Sequence, residues 1–222
     1  MRSRSAIALL ACLLLALAVV ACGGGDDQES AGVELPEGCS EVETPAPKQV
    51  NLKEPKPLKP PPEGSTASVE TSCGTFEIAL DTKGSPKTTA SFAYLVDEGV
   101  YDGTSFHRVV PGFVIQGGDP KGDGTGGPGY TVDEPPKQNI SYTRGTVAMA
   151  KTAVEPPGRS GSQFFVVVAA DAGLPTDFAV LGEVSDGEEV TERITELGDE
   201  AAGETGTPKA PVTIDRITIE DG

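Results

Sequence analysis

Short β-prone runs with apolar residues at alternate positions fill much of the chain after Ser65. Ala67 to Ser72 and Thr75 to Leu80 are joined at Cys73-Gly74, and Phe76, Ile78 and Leu80 alternate as one buried face, which predicts a hairpin. Further strands are predicted over 105–110, 113–117, 146–150, 163–169, 178–184 and 212–219. Two segments follow a helical period instead. Ser85 as N-cap, Pro86 as first helical residue and Gly99 as the stop bound a helix over 86–98; Ala90, Ala93, Tyr94 and Val96 give it an apolar stripe that Phe92 and Leu95 widen. Val190, Ile194 and Leu197 line one side of a second helix over 188–197. Residues 119–143, rich in Gly, Pro and Asp, predict a long irregular loop, a kind that is commonly functional. The fold class is mainly β: a closed antiparallel sheet whose ends two helices cover, since closure removes exposed edges.

The N-terminal third is built differently. Arg2 and Arg4 precede an apolar run from Ala6 to Val20, so residues 1–21 read as a secretory signal. Val19-Val20-Ala21-Cys22 looks like a bacterial lipobox, which makes Cys22 the expected lipidated residue and mature N-terminus; plain cleavage near Ala21 is the alternative. Residues 22–64 carry Gly23-Gly24-Gly25 and then a dense run of proline and lysine from Pro45 to Pro62, so they predict an extended tether of polyproline type holding residues 65–222 off a membrane. Of the four cysteines, Cys12 leaves with the signal and Cys22 is acylated, and Cys39 and Cys73 remain as a pair expected to form a disulfide in an oxidising compartment, two free thiols being the alternative. The expected location is the outer face of a bacterial cytoplasmic membrane.

Charge narrows the partners. The 222 residues include 34 acidic and 17 basic side chains. An acidic surface repels phosphate backbones, and with no basic patch carrying interleaved aromatics, nucleic-acid binding is not expected. No Cys/His cluster or HExxH spacing offers a transition-metal site, and the aspartates of 119–133 do not fit an EF-hand, so neither metal nor cofactor is expected.

Candidate chemistry gathers in Phe106-His107-Arg108-Val109-Val110-Pro111-Gly112-Phe113-Val114-Ile115-Gln116-Gly117-Gly118-Asp119, which holds the only histidine. On residue types alone, a His beside an Arg in a strand is more often structural than catalytic. The order of the whole string, however, closely resembles the signature of the cyclophilin family of peptidyl-prolyl isomerases. Arg159-Ser160-Gly161-Ser162-Gln163-Phe164-Phe165-Val166 resembles that family's second signature. The resemblance covers 65–222 and implies a closed eight-stranded antiparallel β-barrel capped by two α-helices.

Prolyl isomerisation needs modest equipment. The C–N bond resists rotation by roughly 18–20 kcal/mol because it has partial double-bond character, and the barrier falls when the nitrogen lone pair leaves conjugation. An arginine stays charged and can point an N–H at that nitrogen, while an apolar cup holds the ring; no proton transfer is required. The resemblance implies Arg108 as the catalytic arginine, with Gln116 and Phe113 as its partners. It places Phe113, Val114, Phe165 and Leu174 in the proline pocket, Gln163 on the substrate backbone, and Ala150 on a strand edge that pairs with the peptide. Lys151 stands where asparagine is common and Phe178 where a histidine lies at the rim. His107 borders the site, with no general-base role implied. A departure is the absence of tryptophan around Leu174, where Ala172-Gly173-Leu174-Pro175 stands.

These readings make the chain a monomeric isomerase acting on proline-containing polypeptides and anchored to a membrane by its N-terminal lipid. Two others stand beside it: a non-catalytic proline-peptide-binding module or chaperone using the same groove, and a small-ligand barrel of lipocalin type. The last requires a hollow interior, whereas the bulky inward residues predict a filled one.

Overall fold

The computed structural model describes residues 33–222. The signal segment, Cys12 and the expected lipidation at Cys22 lie outside the described residues. Eleven strands and two α-helices follow in chain order: β1 (Thr66–Thr71), β2 (Gly74–Leu80), α1 (Pro86–Asp97), β3 (Thr104–Ser105), β4 (Arg108–Val110), β5 (Val114–Gly117), β6 (Val132–Asp133), β7 (Thr146–Met149), β8 (Arg159–Ser160), β9 (Phe164–Val167), β10 (Val180–Asp186), α2 (Glu188–Glu196) and β11 (Thr213–Glu220). Nine strands form one antiparallel sheet in the order β3-β11-β1-β2-β10-β7-β9-β5-β4, and β6 and β8 form a separate pair.

The sheet curls as a half-barrel and is not the closed eight-stranded barrel expected from the sequence. The run 105–110, expected as one strand, is two: β3 pairs with β11 and β4 with β5. Between them Phe106 gives its N–H to Val212 O at 2.9 Å and buries its ring in the core, so the ladder is interrupted at Phe106-His107. That interruption makes the ninth strand and leaves the two sheet edges joined by two residues of chain rather than by a ladder.

Inside the curl, alternate residues of each strand meet. Phe76, Ile78 and Leu80 are buried as the hairpin pattern requires. Phe106 and Phe164 pack edge to face at 6.1 Å, and Phe92 from α1 meets Phe164 at 6.2 Å and Tyr101 at 5.1 Å. Each such ring contributes about 1.5–3 kcal/mol by burial, and together they fill the interior of the curl, as the bulky inward residues predict. From α2, Val190 and Ile194 close the core, joined by Leu197 just beyond the helix.

α1 differs in detail from its prediction. It ends as foreseen: Gly99 at φ +65° takes the left-handed position, its N–H reaching Val96 O at 2.9 Å while the Val100 N–H reaches Leu95 O at 3.0 Å. Its start is capped otherwise. Ser85 makes no side-chain cap; the Glu134 carboxylate accepts from the N–H groups of Lys87 at 3.1 Å and Thr88 at 2.7 Å. The buried face includes Thr88, Thr89, Ala90, Ser91, Phe92 and Leu95, because small side chains fit where α1 lies close to its neighbours, whereas Ala93, Tyr94 and Val96 are only half-buried.

Residues 33–62 contain no helix or strand, as their proline content dictates, yet they do not stand away from the domain as a spacer. Half-buried positions recur at every third residue, Val42, Pro45 and Lys48, then Leu52, Pro55, Leu58 and Pro61. Three residues per turn is the period of a polyproline helix, so one edge of this strap faces the domain. The Cys39–Cys73 disulfide is formed. Ser40 N donates to Ser72 O at 2.7 Å, Lys48 N to Pro120 O at 2.8 Å and Leu52 N to Pro128 O at 2.7 Å. Among the described residues, no helix is long and apolar enough to cross a membrane.

Candidate active site

Strand register builds the site. Arg108 lies opposite Gln116, Gln116 opposite Phe165, Phe165 opposite Ala148, and Ala148 opposite Val180. Directly opposed residues share a face, and neighbours along each strand point the other way. The next row, Val109, Ile115, Val166 and Val147, is therefore turned into the core, where all four are buried. The following row, Val110, Val114 and Val167, returns to the outer face.

On that face a second apolar cluster, separate from the core, joins Val114, Tyr142, Ala148, Phe165 and Val167 with the half-buried Phe113, Ala150, Leu174, Phe178 and Val180. Every apolar residue expected in the pocket lies in it. Phe113, in the turn between β4 and β5, has the Arg108 guanidinium 5.6 Å from its ring centroid. Phe165 and Phe178 meet edge to face at 5.3 Å.

Polar contacts fix the positions. Gln116 Nε2 donates to Gln163 Oε1 at 3.0 Å, and Gln163 Nε2 donates to Gly124 O at 3.0 Å and Gly126 O at 2.9 Å. Those carbonyls belong to a loop shaped by Asp119, a fully buried carboxylate that accepts from the N–H groups of Lys121, Asp123, Gly124 and Gly126 at 2.7–3.2 Å. At the end of β5, Gly118 has φ +77°, and a Cβ there would stand 2.8 Å from Ser162 O. Only glycine lets the second signature approach so closely.

On the opposite rim, the buried Tyr142 hydroxyl donates to Phe178 O at 2.7 Å and accepts from Phe178 N at 2.9 Å. Burial raises the pKa of this hydroxyl, which keeps it protonated as a donor. Lys151 folds over Phe178, its Nζ 5.5 Å from the ring centroid, and pairs with Asp177 at 3.4 Å with only 5% of its side chain exposed. Its ammonium thus braces the rim.

Two expectations are refined. β7 is paired on both sides, with β10 and β9, so Ala150 is not on a free sheet edge; it is the first residue beyond β7, and its N–H donates to Gln163 O at 2.8 Å. His107 stands apart from the apolar cluster, in a cavity of about 250 Å³ shared with Thr44, Pro45 and the stretch 207–212. Burial lowers its pKa below the ordinary 6.5, the Arg108 charge acts in the same direction, and Asp119 opposes them. Its position outside the apolar cluster makes it a neighbour of that cluster.

Two concavities flank the row. One of about 740 Å³ is lined by Gln116, Gln163, Ala150 and Lys151 and by the loop 124–131; another of about 480 Å³ is lined by Arg108, Val110 and Phe113 with Asp199 and Glu200. Ala148 and Val167 were readable from strand alternation with Ala150 and Phe165. Tyr142 carried no local signal, because its role depends on a partner 36 residues away.

An arginine thus stands beside an aromatic cup, with open grooves around it, on the outer face of a curled β-sheet. The chain belongs to the cyclophilin family: the family described as "Cyclophilin type peptidyl-prolyl cis-trans isomerase/CLD" matches residues 66–219. Its relatives include "Probable peptidyl-prolyl cis-trans isomerase B" of Mycobacterium leprae, 37% identical over 189 residues, covering 74% of this chain and 63% of the relative. Another is "Peptidyl-prolyl cis-trans isomerase B" of Streptomyces anulatus, 36% identical over 172 residues, covering 69% of this chain and 95% of the relative. The chain thus spans under two thirds of the M. leprae protein. Among solved structures, a Cryptosporidium parvum cyclophilin-type isomerase crystallised in the presence of the dipeptide Ala-Pro is similar, with TM-score 0.63 and 29% identity over 71% of this chain and 99% of that one.

Proposed function

We propose that the chain is a peptidyl-prolyl cis-trans isomerase that assists the folding of exported proteins at the outer face of the cytoplasmic membrane, held there by lipid on Cys22. The observation that carries the catalytic part is the row Arg108–Gln116–Phe165 with Phe113 beneath the guanidinium. A proline ring seated on Phe113, Val114, Phe165 and Leu174 brings its nitrogen within reach of Arg108. As the peptide bond twists, the lone pair localises on that nitrogen, and an N–H of the guanidinium donates to it. The donor favours the twisted state over either planar isomer, which is the condition for catalysis. Gln116 and Gln163 orient the arginine and the substrate backbone, and the apolar cup excludes water, strengthening the hydrogen bond.

The signal-like residues 1–21, the lipobox and the Cys39–Cys73 disulfide support an extracytoplasmic location. Mass spectrometry of protein isolated from membranes tests the anchor: a diacylglyceryl modification on Cys22 is expected, and an unmodified Cys22 refutes it. An isomerisation assay with a proline tetrapeptide tests the activity. Wild-type protein that binds the peptide without accelerating isomerisation is a binding module instead.

A further inference from the structure

The loop 119–128 carries the carbonyls that receive Gln163, the partner of Gln116, which lies opposite Arg108, yet its sequence works against rigidity. It contains Gly122, Gly124, Gly126 and Gly127, and each glycine held in one conformation costs more backbone entropy than any other residue. Asp119 ties down its first part, as far as the Gly126 N–H. A second restraint, at both ends of the loop, comes from the N-terminal strap outside the curled sheet.

Residues 48–52 of the N-terminal strap bracket the loop. Lys48 N donates to Pro120 O at 2.8 Å at one end, and Leu52 N donates to Pro128 O at 2.7 Å at the other. Beside the second clamp, a Cβ on Gly129 would lie 2.9 Å from Leu52 O and 3.0 Å from Asn51 Cα, so strap and loop backbones are in direct contact. The side chains of Val50 and Leu52 pack against the core, and the Lys48 ammonium bonds to Asp102 O. The strap is itself fixed at both ends, by the disulfide at Cys39 and by its continuation into β1.

We propose that residues 48–52 are a positioning element of the active site. Their two backbone N–H groups hold the loop carbonyls Gly124 O and Gly126 O where they can receive Gln163, which sets Gln116 and hence Arg108. This inference rests on Arg108 being the catalytic residue. A misplacement of even about 1 Å can cost catalysis up to a hundredfold, so the clamps act on turnover as well as on stability.

The test uses the full chain with Lys48→Pro and Leu52→Pro together. Proline suits the extended strap and removes the N–H at each clamp, together with the Lys48 ammonium bond to Asp102 O and the packing of Leu52. Lys48→Ala with Leu52→Ala, which loses the same side chains but keeps both N–H groups, is the matched variant and is expected to keep the Gln163 amide protection. Leu58→Ala, at the far end of the strap beside Val132 and Lys87, is the control for general loosening. Two quantities are measured against the melting temperature: kcat/KM on a proline tetrapeptide, and the exchange protection of the Gln163 side-chain amide by NMR. The double variant is expected to lose about tenfold in kcat/KM and the Gln163 amide protection, while Leu58→Ala keeps both. The proposal is overturned if the double variant stays within about twofold of the parent. It is equally overturned if its loss matches that of Leu58→Ala at the same melting shift with the Gln163 amide still protected. Failure of the catalytic reading is distinguishable: Arg108→Ala would then be fully active, and the Gln163 amide would still report on the clamps.

Discussion

Tyr142→Phe isolates one hydroxyl in the wall of the apolar cluster on the outer face of the sheet. The ring stays, including its edge-to-face contact with Phe178 at 5.9 Å, so no large cavity forms. What goes is a group that both donates to Phe178 O and accepts from Phe178 N, leaving two backbone groups without their partner. At about 0.5–1.5 kcal/mol net for each hydrogen bond, the loss is about 2 kcal/mol. For a domain of this size, that is a fall in Tm of roughly 4–8 °C. Phe178 backs Phe165, so the cup also loosens and KM for a proline peptide rises several-fold while kcat holds. Thermal and denaturant unfolding alongside steady-state kinetics check both effects. A loss below about 0.5 kcal/mol together with an unchanged KM would show that Phe178 is held by something else.

Reduction of Cys39–Cys73 releases a crosslink spanning 34 residues, worth about 4 kcal/mol in the chain-entropy account; denaturant unfolding with and without reductant should show a lower midpoint and a loss of unfolding free energy of that order, and coincident curves would contradict it. His107, with its folded pKa below 6.5, makes the unfolded chain bind the proton more readily. Its contribution to stability is present above pH 6.5 and is lost as pH falls through that value toward the folded pKa. NMR titration should place the imidazole below 6.5, and a value above it would refute the burial argument. Because isomerisation moves no proton, kcat/KM should stay flat through the histidine's titration wherever the fold is intact; a bell-shaped profile would point to acid–base chemistry.

Both halves of the candidate site could be placed from the chain because each lies in a short continuous string. Alternation within β5 and β9 sends Val114, Gln116, Phe165 and Val167 outward while Ile115, Phe164 and Val166 go inward. The features that escaped are those made by residues distant in sequence. The Glu134 carboxylate caps α1 from a loop, and no local pattern distinguishes it from Ser85 as the cap. The break between β3 and β4 arises where Phe106 turns into the core formed by Phe76 and Phe164, a choice made by packing rather than by propensity. Proline content announced the extended course of residues 45–62. It said nothing of the three-residue period with which they lie on the domain, nor of the clamps at Lys48 and Leu52.

Isomerisation of a proline tetrapeptide by wild type and by Arg108→Ala, at equal folded concentration, tests the catalytic arginine most directly. Arg108 is half-buried on the outer face, so the substitution leaves the core untouched. Loss of one preorganised donor predicts a fall in kcat/KM of about a hundredfold or more with peptide affinity little changed. Full activity in the Arg108→Ala protein would contradict the assignment of the catalytic arginine and the mechanism built on it.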